Sequence, residues 1–171
     1  SYPINDTSSF QIHNVADLGF VYSHTVVLEG NYFVNSDSLT DYGTIEFSPD
    51  NGITWVDLIN DPTYYAYLMW YYPKPVLTGN SNGWKHFYVN LSYLGPLFNI
   101  QFGDTVAYRF TFISDSVQTN KDGLMFDSFH FEDYVEGIDE IQNSNLISLY
   151  PNPTSEQLLI KQKSNSTSQA I

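Results

Sequence analysis

The side chains able to do chemistry in this chain are few, and their spacing argues against catalysis. Its four histidines, His13, His24, His86 and His130, have neither metal-ligand spacing nor a nucleophile beside them. Cysteine is absent, which removes disulfides, thiol catalysis and cysteine-ligated zinc. There is no Gly-x-Ser-x-Gly and no phosphate loop. Glu132 and Asp133 are adjacent, so in a strand they point to opposite faces and cannot flank one bond. What remains is chemistry of binding. In "DPTYYAYLMWYYPKP", six of the ten residues from Thr63 to Tyr72 are aromatic. Sugars stack on such rings through their C–H faces, so Trp70, Tyr71, Tyr72 and Trp84 are candidates for a glycan platform. The competing reading sends alternate rings into a core; it is preferred for Tyr65, Tyr67 and Met69. A third reading makes the patch a docking surface for a partner protein.

One acid stands out. Asp127 lies on the apolar row Met125, Phe129 and Phe131, where an unpaired carboxylate is costly. Exposure or pairing with Arg109 is the first reading; ligation of a structural calcium is the second. No other cofactor is expected.

The elements that must position these residues are strands. In "DTVAYRFTFISD", Val106, Tyr108, Phe110 and Phe112 share one face, and Thr105, Arg109 and Thr111 the other. "DYGTIEFS" places Ile45 and Phe47 opposite Thr44 and Glu46, and "WKHFYVNLSYL" places Phe87, Val89 and Leu91 inward. "HTVVLEGNYFV" and "GLMFDSFHFED" are further strands. "PDNG", "GNSNG" and "NKDG" separate the runs with residues suited to tight turns. Short strands with such turns predict an all-β antiparallel sandwich over residues 1–134. The acidic stretch "YVEGIDEIQNSN" reads as a linker at 135–145, and a new β pattern opens a second unit at 146–171.

Composition bounds the partners. With 19 acids against 6 bases the net charge is −13, a field that repels phosphate backbones and anionic lipid, so nucleic-acid binding is not expected. No apolar run approaches the ~20 residues of a membrane-spanning helix, so the chain is not expected to be transmembrane. The polar opening "SYPINDTSSF" reads like a mature or trimmed N-terminus.

In "SPDNGITW", Asp50 is placed to accept turn amides, Gly52 to take positive φ and Trp55 to fold under the turn. The residues Ser48, Asp50, Gly52, Thr54 and Trp55 match the Asp-box pattern, which implies a stabilised hairpin and no chemistry. "YRFTFISDSVQTNKDGLMFDSFHFED" resembles the closing part of MAM-like or carbohydrate-binding-like jelly rolls of secreted bacterial proteins. It keeps Arg109, Phe110, Gly123 and Asp127, and has Leu124 where that pattern has Trp and Ser128 where it has a second Asp. With the Asp box the resemblance covers about residues 20–133, and it implies that the domain at 1–134 is a jelly roll.

Near the end, each proline of Tyr150-Pro151-Asn152-Pro153 lacks an N–H and biases the residue before it away from helix. "EQLLIKQ" follows as a strand with Leu158 and Ile160 on one face. "SLYPNPTSEQLLIK" resembles the opening of the type A C-terminal sorting domain of type IX secretion cargo from Bacteroidetes. That family's domains are small immunoglobulin-like sandwiches, and their later strands have no counterpart in residues 146–171. The resemblance implies export across the periplasm and an outer-membrane translocon with its carrier protein, ending secreted or at the cell surface. Ser38, Thr105 and Ser116 lie in Asp-Ser/Thr-apolar triplets that resemble the O-glycosylation acceptor of the same phylum; plain loop chemistry is the competing reading. The expected function is a non-catalytic surface or secreted protein binding glycan or another surface protein, in adhesion or gliding. The alternative is the C-terminal accessory region of a larger secreted protease or glycoside hydrolase.

Overall fold

Alternation of apolar and polar residues becomes two stacked sheets. In the computed structural model, which describes residues 1–22, 25–117, 120–134, 147–150 and 159–162, the chain divides into two units, Ser1–Glu136 and Gly137–Ile171. In the first, β7 (Thr105–Ile113) buries Val106, Tyr108 and Phe110 and turns Arg109 outward. It pairs antiparallel with β1 (Thr7–Val15) and with β3 (Tyr42–Ser48), and the short β4 (Val56–Asp57) closes the sheet in the order β1-β7-β3-β4. The second sheet centres on β2 (Thr25–Asn35). It is flanked by β6 (Lys85–Asn90) and β8 (Gly123–Tyr134), with β5 (Met69–Trp70) at the edge, in the order β5-β6-β2-β8.

Consecutive long strands β1, β2, β3, β6, β7 and β8 fall in alternate sheets, and every pairing is antiparallel. The fold is an all-β antiparallel sandwich of jelly-roll type. Two short helices, α1 (Leu18–Tyr22) and α2 (Leu94–Phe98), add Phe20 and Leu94 to the core between the sheets. Leu28, Val34, Ile45, Phe47, Phe87, Val89, Leu91 and Phe110 fill the rest. Each such side chain contributes about 1.5–3 kcal/mol on leaving water. Burial pushes the Tyr108 hydroxyl far above its ordinary titration range, so this interior stays uncharged there.

The apolar row read in Gly123–Tyr134 is corrected by a β-bulge. Glu29 of β2 opposes His130, yet Asn31, two residues on, opposes Asp127, so β8 carries one extra residue there. Ser128 supplies it in the left-handed region, φ 56°. The slip inverts the side-chain phase. Leu124 and Phe126 pack inward before the bulge, Phe129 and Phe131 after it. Met125 and Asp127 therefore face outward, and Asp127 was never on the apolar face.

In the second unit β9 (Ile147–Tyr150) pairs antiparallel with β10 (Leu159–Gln162), Tyr150 opposite Leu159 and Leu149 opposite Ile160. Pro151, Asn152, Pro153 and Leu158, the linker at 135–145 and the extent of the immunoglobulin-like module lie outside the described residues.

Candidate functional site: an aromatic sheet face

The register of the second sheet gathers the exposed rings. Residues directly opposite one another share a face. On the outer face, Tyr88 of β6, Glu29 of β2 and His130 of β8 form one row. His86, Asn31 and Asp127 form the next, and Phe33 lies opposite Met125 in a third. The chain leaving β5 extends the first row, where the Tyr71 N–H donates to the Tyr88 carbonyl at 3.1 Å. Tyr71 meets Tyr88 edge-on with centroids 4.8 Å apart, and Tyr72 meets His86 edge-on at 4.7 Å. Trp84 lies 6.0 Å from Phe33. Tyr71, Tyr72 and Trp84 are 58%, 50% and 52% exposed.

The rings rest on a fixed frame. His86 Nδ1 lies 3.3 Å from Asn31 Oδ1, and its Nε2 lies 3.5 Å from Glu29 Oε2. Glu29, Asp127 and Glu132 on the β2–β8 side put carboxylate acceptors beside the aromatic half. His130 Nε2 lies 2.9 Å from Glu132 Oε1. Four strands at ~4.8 Å spacing make this face about 14 Å across. Such a surface has the chemistry to stack on apolar ring faces and to accept hydrogen bonds from hydroxyls at one time.

Trp70 is not on this face. It opposes Val89, packs against the core, and its Nε1 is buried with no hydrogen-bond partner among the described residues. The expectation that Tyr65, Tyr67 and Met69 enter the core is corrected: all three are exposed. Tyr65 and Tyr67 sit on a 3-10 turn, where strand alternation does not apply, and Met69 falls on the outer side of the two-residue β5. Tyr88, Phe33, His86 and Asn31 complete the face and were not singled out from sequence. The signal for Tyr88 and His86 was available, since they are the outward partners of Phe87 and Val89. Phe33 needed the strand pairing.

The Asp-box turn is tied by its own side chains. Asp50 Oδ1 accepts the Thr54 N–H at 2.7 Å and the Ile53 N–H at 3.1 Å, and its Oδ2 accepts the Thr54 hydroxyl at 2.7 Å. Ser48 Oγ accepts the Gly52 N–H at 2.7 Å. Gly52 takes φ 91°, and Trp55 Nε1 donates to its carbonyl at 3.1 Å. The Thr54 amide is the main reason that the Asp50 carboxyl is held below its ordinary pKa.

Trp55 also reaches the outer face of the first sheet, where it covers the Arg109 guanidinium at 4.2 Å. Arg109 is paired with Glu46, Nε to Oε2 and Nη2 to Oε1, both at 2.7 Å. The expected Asp127–Arg109 pair is thereby replaced. The two residues lie on different sheets, and the exposed Asp127 accepts the Ser128 N–H at 2.7 Å instead. Among the described residues no three His, Asp or Glu side chains gather where they could hold one metal ion. Ser38 and Ser116 are exposed in turns, and Thr105 is half-buried at the start of β7. Among the described residues no helix is long and apolar enough to cross a membrane. The chain matches no family model, no curated protein and no solved structure.

Proposed function

We propose that this chain is a non-catalytic secreted or cell-surface protein exported by type IX secretion, whose sandwich binds glycan through the outer face of the β5-β6-β2-β8 sheet. The observation that carries the binding half is the trio of half-exposed rings Tyr71, Tyr72 and Trp84 on one sheet face, backed by Tyr88, His86 and Phe33. Rings exposed this far contribute little to the core, and a rigid sheet lets them stack on a ligand with small loss of side-chain freedom. Neutral sugar suits a chain of net charge −13 better than an anionic partner does. Export rests on the resemblance of residues 146–160 to the opening of a sorting domain, and the translocon and its carrier are the partners it implies. Ser38 and Ser116 are the accessible acceptors if the chain is glycosylated in the periplasm; a structural calcium at Asp127 is the weaker reading, since among the described residues no three His, Asp or Glu side chains gather where they could hold one metal ion.

The test separates platform from core. Replacing Tyr71 and Trp84 together by alanine is expected to weaken retention on immobilised glycans at least tenfold with little change in melting temperature. Trp70→Ala alone is expected to cost about 3 kcal/mol of stability, because it empties a site against the core. Undiminished glycan retention by the Tyr71/Trp84 double variant would remove the platform reading.

A further inference from the structure

The opposite face of the sandwich carries a second, chemically different groove. It holds about 610 Å³ on the outer side of the β1-β7-β3-β4 sheet; its polar lining includes Thr7, Ser9, Thr44, Glu46, Arg109 and Thr111, and Tyr42 and Ile113, opposite each other on β3 and β7, add apolar surface. Small-molecule sites fall at roughly 300–1,000 Å³. The register explains the lining. Ser9, Thr111 and Thr44 form one cross-strand row, and Arg109 and Glu46 lie opposite each other in the next.

Arg109 is held in place before any ligand arrives. Glu46 takes two of its N–H groups and the Trp55 ring covers one face. A guanidinium has five donors, so three remain. The Thr44 and Thr111 hydroxyls reach Glu46 Oε2 only at 3.4 and 3.3 Å, long enough to exchange for better partners. The Thr7 and Ser9 side chains make no hydrogen bond among the described residues. The groove thus offers a fixed donor and a row of hydroxyls that both donate and accept.

We infer that this groove binds a neutral, polyhydroxylated ligand, a saccharide, independently of the aromatic face on the other sheet. Glu46 already neutralises Arg109, Asp57 lines the same groove, and the chain is strongly acidic, so an anionic ligand is repelled. An apolar ligand would leave the hydroxyl row and the spare guanidinium donors dry and unpaired. A sugar hydroxyl can satisfy both. The Asp box then has a second consequence: by fixing Trp55 it positions Arg109.

The test is a titration of the 171-residue chain followed by ¹⁵N–¹H spectra. The probes are cellohexaose, laminarihexaose and mannohexaose, with hexagalacturonate as the anionic arm. At least one neutral hexasaccharide is expected to shift the amides of Ser9, Thr44 and Thr111 and the Arg109 Nε–H. Ser9→Tyr fills the groove from an exposed position and should weaken that binding at least tenfold with melting unchanged. Arg109→Lys should weaken it comparably, and the Tyr71/Trp84 double alanine variant should leave it intact. Any of four results overturns the inference: no shift at these positions with any neutral probe, shifts with hexagalacturonate alone, shifts that survive Ser9→Tyr, or shifts lost in the Tyr71/Trp84 variant. The last would return all binding to the aromatic face.

Discussion

Asp50 and Asp133 show how two carboxylates in one sandwich acquire opposite dependence on pH. Asp50 is half-buried and bonded to the amides of its own turn, which lower its pKa from 3.8. Its contribution to stability is present above 3.8 and is lost as pH falls through the lowered folded value. Asp133 is half-buried. Its Oδ2 accepts the Asp17 N–H at 2.6 Å and its Oδ1 the Phe20 N–H at 3.2 Å, but desolvation outweighs these bonds and raises its pKa. The sign is reversed: its favourable contribution is complete below the unfolded value and disappears as pH rises through the raised folded value. Urea denaturation across pH 3 to 7 should resolve the two. The advantage of wild type over Asp50→Asn should shrink on acidification, and that over Asp133→Asn should grow. Slopes of the same sign would contradict one of the two assignments, and the sign observed would say which. Asp50 was legible in the sequence because its partners lie within four residues of it. Asp133 was not, because its partners stand 113 and 116 positions away, and only the fold brings them near.

Strands with one face buried announced themselves through period-two alternation, and Ile45, Phe47, Phe87, Val89, Val106, Tyr108 and Phe110 all point where that pattern puts them. The bulge in β8 left no such mark. A serine in the left-handed region looks in sequence like any polar residue of an outward position, and the phase error it introduced misplaced Met125 and Asp127 together. The short β5 defeated the pattern differently, since two residues set no period and the 3-10 turn before it has another. The bulge makes a distinctive forecast. Removing Ser128 restores unbroken alternation, with Leu124, Phe126, Phe129 and Phe131 on one face, so the deletion should still fold with a cooperative transition. Removing Ala107 from β7 shifts the two sides of a central strand by one residue relative to each other and turns buried side chains on one side toward water, so that deletion should not fold. Circular dichroism melts of the two deletions check this; equal loss of structure in both would refute the bulge assignment.

At the scale of the whole molecule the sandwich presents two outer faces of different chemistry, one aromatic and one hydroxyl-lined, over a shared core. A protein with two such faces suits bridging roles at a surface, which accords with adhesion and with an accessory region of a larger secreted enzyme alike. The platform was half legible. Composition points to Tyr71, Tyr72 and Trp84 and alternation along β6 to Tyr88, but the inward turn of Trp70 and the place of Phe33 emerge only with the strand register. The proposed export signal rests on the resemblance of residues 146–160, with Tyr150-Pro151-Asn152-Pro153 in the sequence, to the opening of a sorting domain. Its most direct test is replacement of Tyr150, Pro151, Asn152 and Pro153 by alanine in the chromosomal gene of the native host, with protease shaving of intact cells and fractionation of the periplasm. The account predicts that the altered protein is absent from the surface and medium and accumulates, folded, in the periplasm. Surface display equal to that of the unaltered protein would contradict it.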